Sequence, residues 1–173
     1  MTDVLAVLKE GMNTEVWGMR FYTECVERTE DANGKKVFQT LISDEGRHLD
    51  ILRGQYAAIS GDKGPVSMDQ ALAMATSVEP TDIFPEADDA ECLVPADMTD
   101  AQALRMAMDF ERRGYDMYAK AAEDAVSDEE KSMWEFLAEA ENRHYVFLEE
   151  TLSYLVNDGT WYFDDLEHPF FEG

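Results

Sequence analysis

An all-α fold is predicted for this 173-residue chain: an antiparallel four-helix bundle with a long connection between helices 2 and 3. Three observations predict it. Four long segments carry apolar residues at alternating steps of three and four, the period of a helix with one buried face. Capping signals stand where those segments begin. The second pair of segments also repeats the first: aligning residues 12–62 on 108–158, an offset of 96, gives twelve identical pairs without a gap. A period that long, present in two copies, is a duplicated helical hairpin and not a solenoid.

The first helix is expected over 3–30, with Leu5, Leu8, Met12, Glu15, Met19, Tyr22 and Val26 on its stripe. Asn33-Gly34 reads as the break before the second helix, 34–60, whose stripe is Phe38, Leu41, Glu45, His48, Leu52 and Ile59. Residues 61–98 hold Gly61, Gly64, Pro65, Pro80, Pro85 and Pro95 and read as a crossover connection, with a short helix over 67–76. Thr99 and Gln102 form a capping-box pattern before the third helix, 99–126, which carries Ala101, Leu104, Met108, Glu111, Tyr115, Tyr118 and Ala122. Ser127 and Glu130 repeat the pattern before the fourth, 128–157, with Trp134, Leu137, Glu141, His144, Leu148, Leu152 and Leu155. Residues 1–157 thus read as one bundle domain, and 158–173 as an aromatic and acidic tail.

Composition removes several classes of function. The apolar share, 45%, supports a real core. A net charge of −24 argues against nucleic acid and anionic membranes, both of which need a basic footprint. No window nears the roughly 18 consecutive apolar residues of a membrane span. The two cysteines, Cys25 and Cys92, form no C-x-x-C, so a rubredoxin or zinc-ribbon site is excluded and both read as buried or incidental. The N-terminus has no basic start and no cleavage signature, so a cytoplasmic location is expected.

The chemistry lies in which polar residues occupy the apolar stripes. Glu15, Glu45, His48, Glu111, Glu141 and His144 all do, and a solvated Glu belongs on the opposite face. Glu15 and Glu45 are 30 residues apart with the turn midway. A chain that climbs 15 residues rises ~22 Å and then descends as far, so the two return to one height. Glu111 and Glu141 repeat the spacing about Val126. Each Glu stands one turn before its His in Glu45–His48 and Glu141–His144. A lone Glu-x-x-His is common by chance in acidic helices; two copies in register, each following Glu-x-x-Gly at the same distance, are specific.

Four buried carboxylates without a Lys or Arg in the stripes are untenable unless protonated or balanced by cations. Arg47 and Arg143 lie two residues past a stripe Glu and point away. Two divalent ions would balance the four charges, and oxygen plus imidazole donors suit iron or manganese, with zinc possible. One Glu from each of two helices with Glu-x-x-His from each of the other two is the ligand pattern of four-helix di-iron carboxylate proteins. Around this set, Tyr22 and Tyr118 face the same way and can hydrogen-bond the carboxylates, carry an electron or serve as core tyrosines. Asp44 can orient a histidine from a neighbouring helix; its repeat counterpart is Ala140. Gly18 and Gly114 cost helix stability and read as sites of close helix approach. His168, in the tail, is not expected to be a ligand.

EVWGMRFY and ERRGYDMY, each followed 30 residues after its Glu by E-x-x-H, resemble the rubrerythrin branch of the ferritin-like superfamily over roughly residues 3–157. The resemblance implies a ferritin-like bundle, two iron ions in a di-iron centre that reacts with peroxide or dioxygen, and a homodimer. It also implies an external electron donor, rubredoxin-like or other, because the rubredoxin domain that many members carry is not found in this sequence. Rubrerythrins proper have a further Glu one turn after the third-helix ligand, associated with peroxide chemistry. That position is Gly114 here, and the remaining symmetric set is closer to bacterioferritin or ferritin centres. The implied activity is therefore oxidation of Fe(II) with reduction of peroxide or dioxygen, and the alternative is iron binding and storage of ferritin type.

Overall fold

The computed structural model describes residues 4–75 and 94–163, and the regular elements among them are all helices, with no strand. Helix α1 is Val4–Arg28, α2 Ala32–Ser60, the short α3 Met68–Met74, α4 Asp100–Asp124 and α5 Asp128–Asp158. Helices α1 and α2 form one hairpin and α4 and α5 the other, and α1 lies beside α4. The Val94 N–H donates to Glu24 Oε2 (2.9 Å), which places the approach to α4 at the end where α1 finishes. The chain leaves α2 at the opposite end, so the described ends of the connection lie at opposite ends of the bundle. Its middle, with Pro80, Pro85 and Cys92, lies outside the described residues.

The local chemistry sets the helix ends. The break between α1 and α2 is not at Asn33-Gly34. Asp31 is the N-cap, accepting from the N–H groups of Asn33 (2.8 Å) and Gly34 (3.1 Å), so that dipeptide forms the first turn of α2. Asp31 aligns with Ser127 at the offset of 96, and Ser127 caps α5; the repeat itself carries the correct boundary. Thr99 with Gln102 forms a complete capping box, as does Ser67 with Gln70 before α3. At α5 only half of the expected box forms, because Glu130 turns its carboxylate to the Val126 N–H. Gly159, at φ 68°, ends α5 in the left-handed region that glycine adopts freely.

Two apolar clusters fill the bundle. Near the α1–α2 turn lie Phe21, Tyr22, Val37, Phe38, Leu41, Leu104, Leu148 and Trp161; toward the other end lie Leu8, Met12, Ile51, Leu52, Tyr118, Trp134 and Leu137. Each such side chain contributes about 1.5–3 kcal/mol on burial. Helix α3 seals the lower end over Gly54, where a Cβ would fall 1.8 Å from the Ala71 carbonyl oxygen. Described tail residues close the upper end of their own bundle: Trp161 donates from Nε1 to Asp100 Oδ2 (3.1 Å) and stands edge-on to Phe38. Gly34 admits it, since a Cβ there would meet the indole at 2.7 Å. His168 lies outside the described residues. Tyr115, expected on the stripe, is 41% exposed; the buried line runs Ala107, Glu111, Gly114, Tyr118, with the glycine taking the inward position.

Candidate metal centre

Between the two apolar clusters sits a polar layer. Glu15, Glu45, His48, Glu111, Glu141 and His144 come together there, each at most 2% exposed. They fall into two overlapping groups whose potential ligand atoms lie within 4.8 Å of one another: Glu15, Glu45, His48 and Glu141, and Glu45, Glu111, Glu141 and His144. Glu45 and Glu141 belong to both. His48 Nδ1 lies 3.1 Å from Glu45, 3.4 Å from Glu141 and 3.5 Å from Glu15. His144 Nδ1 lies 3.3 Å from Glu111, 3.6 Å from Glu45 and 3.8 Å from Glu141. The two imidazoles are stacked, with centroids 5.5 Å apart.

Polar neighbours hold this layer from outside. The Tyr22 hydroxyl donates to Glu111 Oε1 and the Tyr118 hydroxyl to Glu15 Oε1, each reaching from one hairpin to the other. His144 turns its Nε2 to Asp44 Oδ2 at 3.2 Å. Glu45 Oε1 and Glu141 Oε1 are buried with no hydrogen-bond partner. Buried polar atoms are rarely left unpaired, and here they are carboxylate oxygens of the two shared residues. Carboxylate oxygens and imidazole nitrogens at this spacing fit a pair of hard or borderline divalent cations.

A family model described as Rubrerythrin matches residues 6–152, nearly the whole described bundle. The chain belongs to the rubrerythrin family. It is thereby a member of a family of ferritin-like di-iron carboxylate proteins. Among solved structures, a hypothetical protein from Pyrococcus furiosus is similar at a TM-score of 0.66 and 18% identity, over 92% of this chain and 94% of that one; the likeness speaks to the fold alone. No curated protein matches significantly.

The electrostatics of this rubrerythrin's layer follow from burial and mutual contact. Burial pushes Glu45 well above the usual carboxylate range, and the charges of Glu141, Glu15 and Glu111 push the same way. Glu111 rises to about 8, chiefly through burial. Burial opposes ionisation of Glu141 too, yet hydrogen bonds with Glu111, His144 and His48 outweigh it and hold that carboxyl down to about 2. Glu15 is likewise held below its ordinary value against burial, by hydrogen bonds with Glu45, His48 and Tyr118. Both histidines are raised despite burial: His48 by hydrogen bonds with Glu141, Glu15 and Glu45, and His144 by the Glu111 charge and the Asp44 hydrogen bond. Without cations, protons shared among these groups neutralise the layer. Cys25 takes no part: burial pushes its thiol up to about 12, which leaves it inert.

The two glycines differ in what they accommodate. A Cβ on Gly18 would meet the Phe110 ring at 2.9 Å, a close approach between helices. One on Gly114 would meet Glu141, with its carboxyl carbon at 3.3 Å; the close approach there is to the centre itself. Among the described residues, no helix is long and apolar enough to cross a membrane.

The Asp44 contact makes the halves unequal, because Ala140 offers no acceptor at the equivalent place. Asp44→Ala is expected to weaken metal binding at the His144 half by roughly 10–100-fold while sparing the His48 half. Titration calorimetry with Mn(II) should then show the affinity of the Asp44-supported half lowered toward that of the other half. Identical isotherms for variant and parent would show that Asp44 does not act through His144.

Proposed function

We propose that this rubrerythrin-family chain is a non-haem di-iron oxidoreductase that oxidises Fe(II) and reduces hydrogen peroxide or dioxygen. The observation that carries the reading is the pair of overlapping ligand groups sharing Glu45 and Glu141. Glu15 and His48 would hold one ion, Glu111 and His144 the other, and Glu45 and Glu141 would reach both. Two iron ions held by these residues would supply the two electrons that, with two protons, convert one peroxide to two waters as two Fe(II) become Fe(III). The protein supplies placement. Tyr22 and Tyr118 hold the outer oxygens of Glu111 and Glu15, Asp44 fixes the ring of His144, and the apolar clusters keep bulk water from the layer.

Gly114 stands where rubrerythrins proper carry a further Glu, which favours a ferroxidase-like use of the centre over a dedicated peroxidase. With no C-x-x-C in this sequence, the reductant that restores Fe(II) comes from another protein or domain. We place the reaction in the cytoplasm, and a homodimer is the assembly that the family resemblance implies. Manganese or zinc could occupy the same donors, and only iron or manganese would turn over.

Anaerobic Fe(II)-loaded protein mixed with peroxide or with air-saturated buffer in a stopped-flow spectrometer tests the reading. Near-ultraviolet absorbance should rise faster than for free Fe(II) with at least one oxidant, and the faster one identifies the partner. Oxidation no faster than free Fe(II), with iron retained in an assembly far above a dimer, would instead place the chain with storage proteins.

A further inference from the structure

We propose that the groove between α1 and α4 binds a small, uncharged, apolar organic molecule, which lies over Gly114. A cleft of ≈ 380 Å³ is lined there by Thr14, Trp17, Phe21, Phe110, Gly114 and Met117, with Met106, Glu10 and Arg113 completing it. Hydrogen peroxide or dioxygen is only slightly larger than water, whose share of liquid volume is about 30 Å³. The cleft exceeds the needs of either oxidant and falls in the range of about 300–1,000 Å³ typical of small-molecule sites.

The duplication shows why one side is open. At the offset of 96, Gly18 matches Gly114 and Thr14 matches Phe110. On the first side the Phe110 ring fills the space over Gly18, and beyond that glycine stands Glu45, whose Cγ is 3.6 Å from where a Cβ would be. On the second side Thr14 stands in place of the ring. The three atoms nearest a Cβ on Gly114 all belong to Glu141, and Gly114 itself lines the cleft. Behind Glu45 therefore stand a glycine and an aromatic ring, and behind Glu141 a glycine that itself lines the cleft.

The lining selects by polarity. On a chain of net charge −24 this groove contains one acid and one base, Glu10 and Arg113, and is otherwise apolar apart from Thr14. Trp17, 49% exposed, forms a wall that a flat apolar ligand can cover. A ligand so placed would sit beside the centre, in the position of a co-substrate. That last step rests on the di-iron reading, whereas the binding does not.

The test uses 1-aminoanthracene, an uncharged aromatic whose fluorescence rises on burial, titrated into the purified full chain without iron. Saturable binding with quenching of Trp17 is expected. Thr14→Phe, which places over Gly114 the ring that Phe110 places over Gly18, should weaken binding by roughly tenfold or more. Met106→Trp, at the half-exposed rim, should weaken it as well. Thr40→Phe, an equivalent exchange on α2 outside the groove, should leave it unchanged, and all three should bind metal as the parent does. Failure of the parent to bind the dye, including failure because two chains cover this face, overturns the proposal. So does equal binding by the parent, Thr14→Phe and Met106→Trp. Because no iron oxidation is measured, either result leaves the oxidoreductase reading to its own test.

Discussion

Glu45→Ala and Glu141→Ala are each expected to abolish binding at both metal positions, whereas Glu15→Ala and Glu111→Ala should each leave about one equivalent per chain. The difference follows from membership of the two ligand groups: Glu45 and Glu141 stand in both, Glu15 and Glu111 in one each. Loss of a shared carboxylate also halves the negative charge available between the ions, so each repels the other more strongly. Folding does not confound the comparison. Glu45→Ala relieves repulsion in the metal-free protein, since the charges of Glu141, Glu15 and Glu111 oppose its ionisation, and helical content by circular dichroism, measured for all four variants, should match the parent. Elemental analysis after reconstitution with excess Fe(II) and desalting gives the stoichiometry. Two equivalents retained by Glu45→Ala would refute the site; a loss as complete in Glu15→Ala as in Glu45→Ala would refute the division of roles.

The gathering of the six residues in one buried layer was legible in the sequence; which of them stand in both groups was not. Helical period placed Glu15, Glu45, His48, Glu111, Glu141 and His144 on buried faces, and hairpin arithmetic placed each trio at one height. Both arguments concern single helices or adjacent pairs, where geometry is nearly fixed by chain length. Which Glu faces both halves depends on how the hairpins approach each other, a tertiary quantity with no local signal. The same holds for the tyrosines. Tyr22 and Tyr118 could be assigned to the right face, but their partners, Glu111 and Glu15, lie 89 and 103 residues away.

Other misses have definite physical causes. Asn33-Gly34 is a strong turn signal in general, yet Asp31 two residues earlier offers a side-chain acceptor that stabilises a helix start, and the glycine is needed for the approach of Trp161. The three-and-four period puts Tyr115 on the stripe after Glu111, and reads Gly114 as a site of close helix approach. Glu141 needs the space, so the glycine faces in and the tyrosine out. Gly54 bears no mark of its role, because Ala71 reaches it through the connection, beyond any helical period.

Raising the pH from about 5 to about 8 should destabilise the metal-free protein and at the same time enlarge the stabilisation that metal confers. Glu45 is raised from 4.5 in the folded chain, and Glu111 to about 8. Above 4.5 the unfolded chain releases these protons while the folded chain keeps them, so stability falls as pH rises through that window. The histidines act with the same sign. Their folded values lie above 6.5, so their contribution is complete below 6.5 and is lost as pH rises through the folded values. Glu15 and Glu141, held below 4.5, act oppositely, but their contribution is already complete above 4.5 and is lost only on acidification, for Glu141 toward about 2. Metal binding requires the deprotonated ligands, so apparent affinity rises with pH as the displaced protons become easier to release, and ligation stabilises the fold by mass action. Thermal unfolding followed by circular dichroism between pH 5 and 8, with chelator or with Mn(II), should therefore show melting temperatures that diverge as pH rises. The acidic surface is common to both samples, so the −24 net charge bears on both curves alike, and added salt separates that background. Glu111→Gln should flatten the metal-free curve, because it removes one of the protons that the folded layer retains. A metal-free protein that grows more stable from pH 5 to 8, or a metal-induced gain that does not change with pH, would show that protons and metal do not compete for this layer.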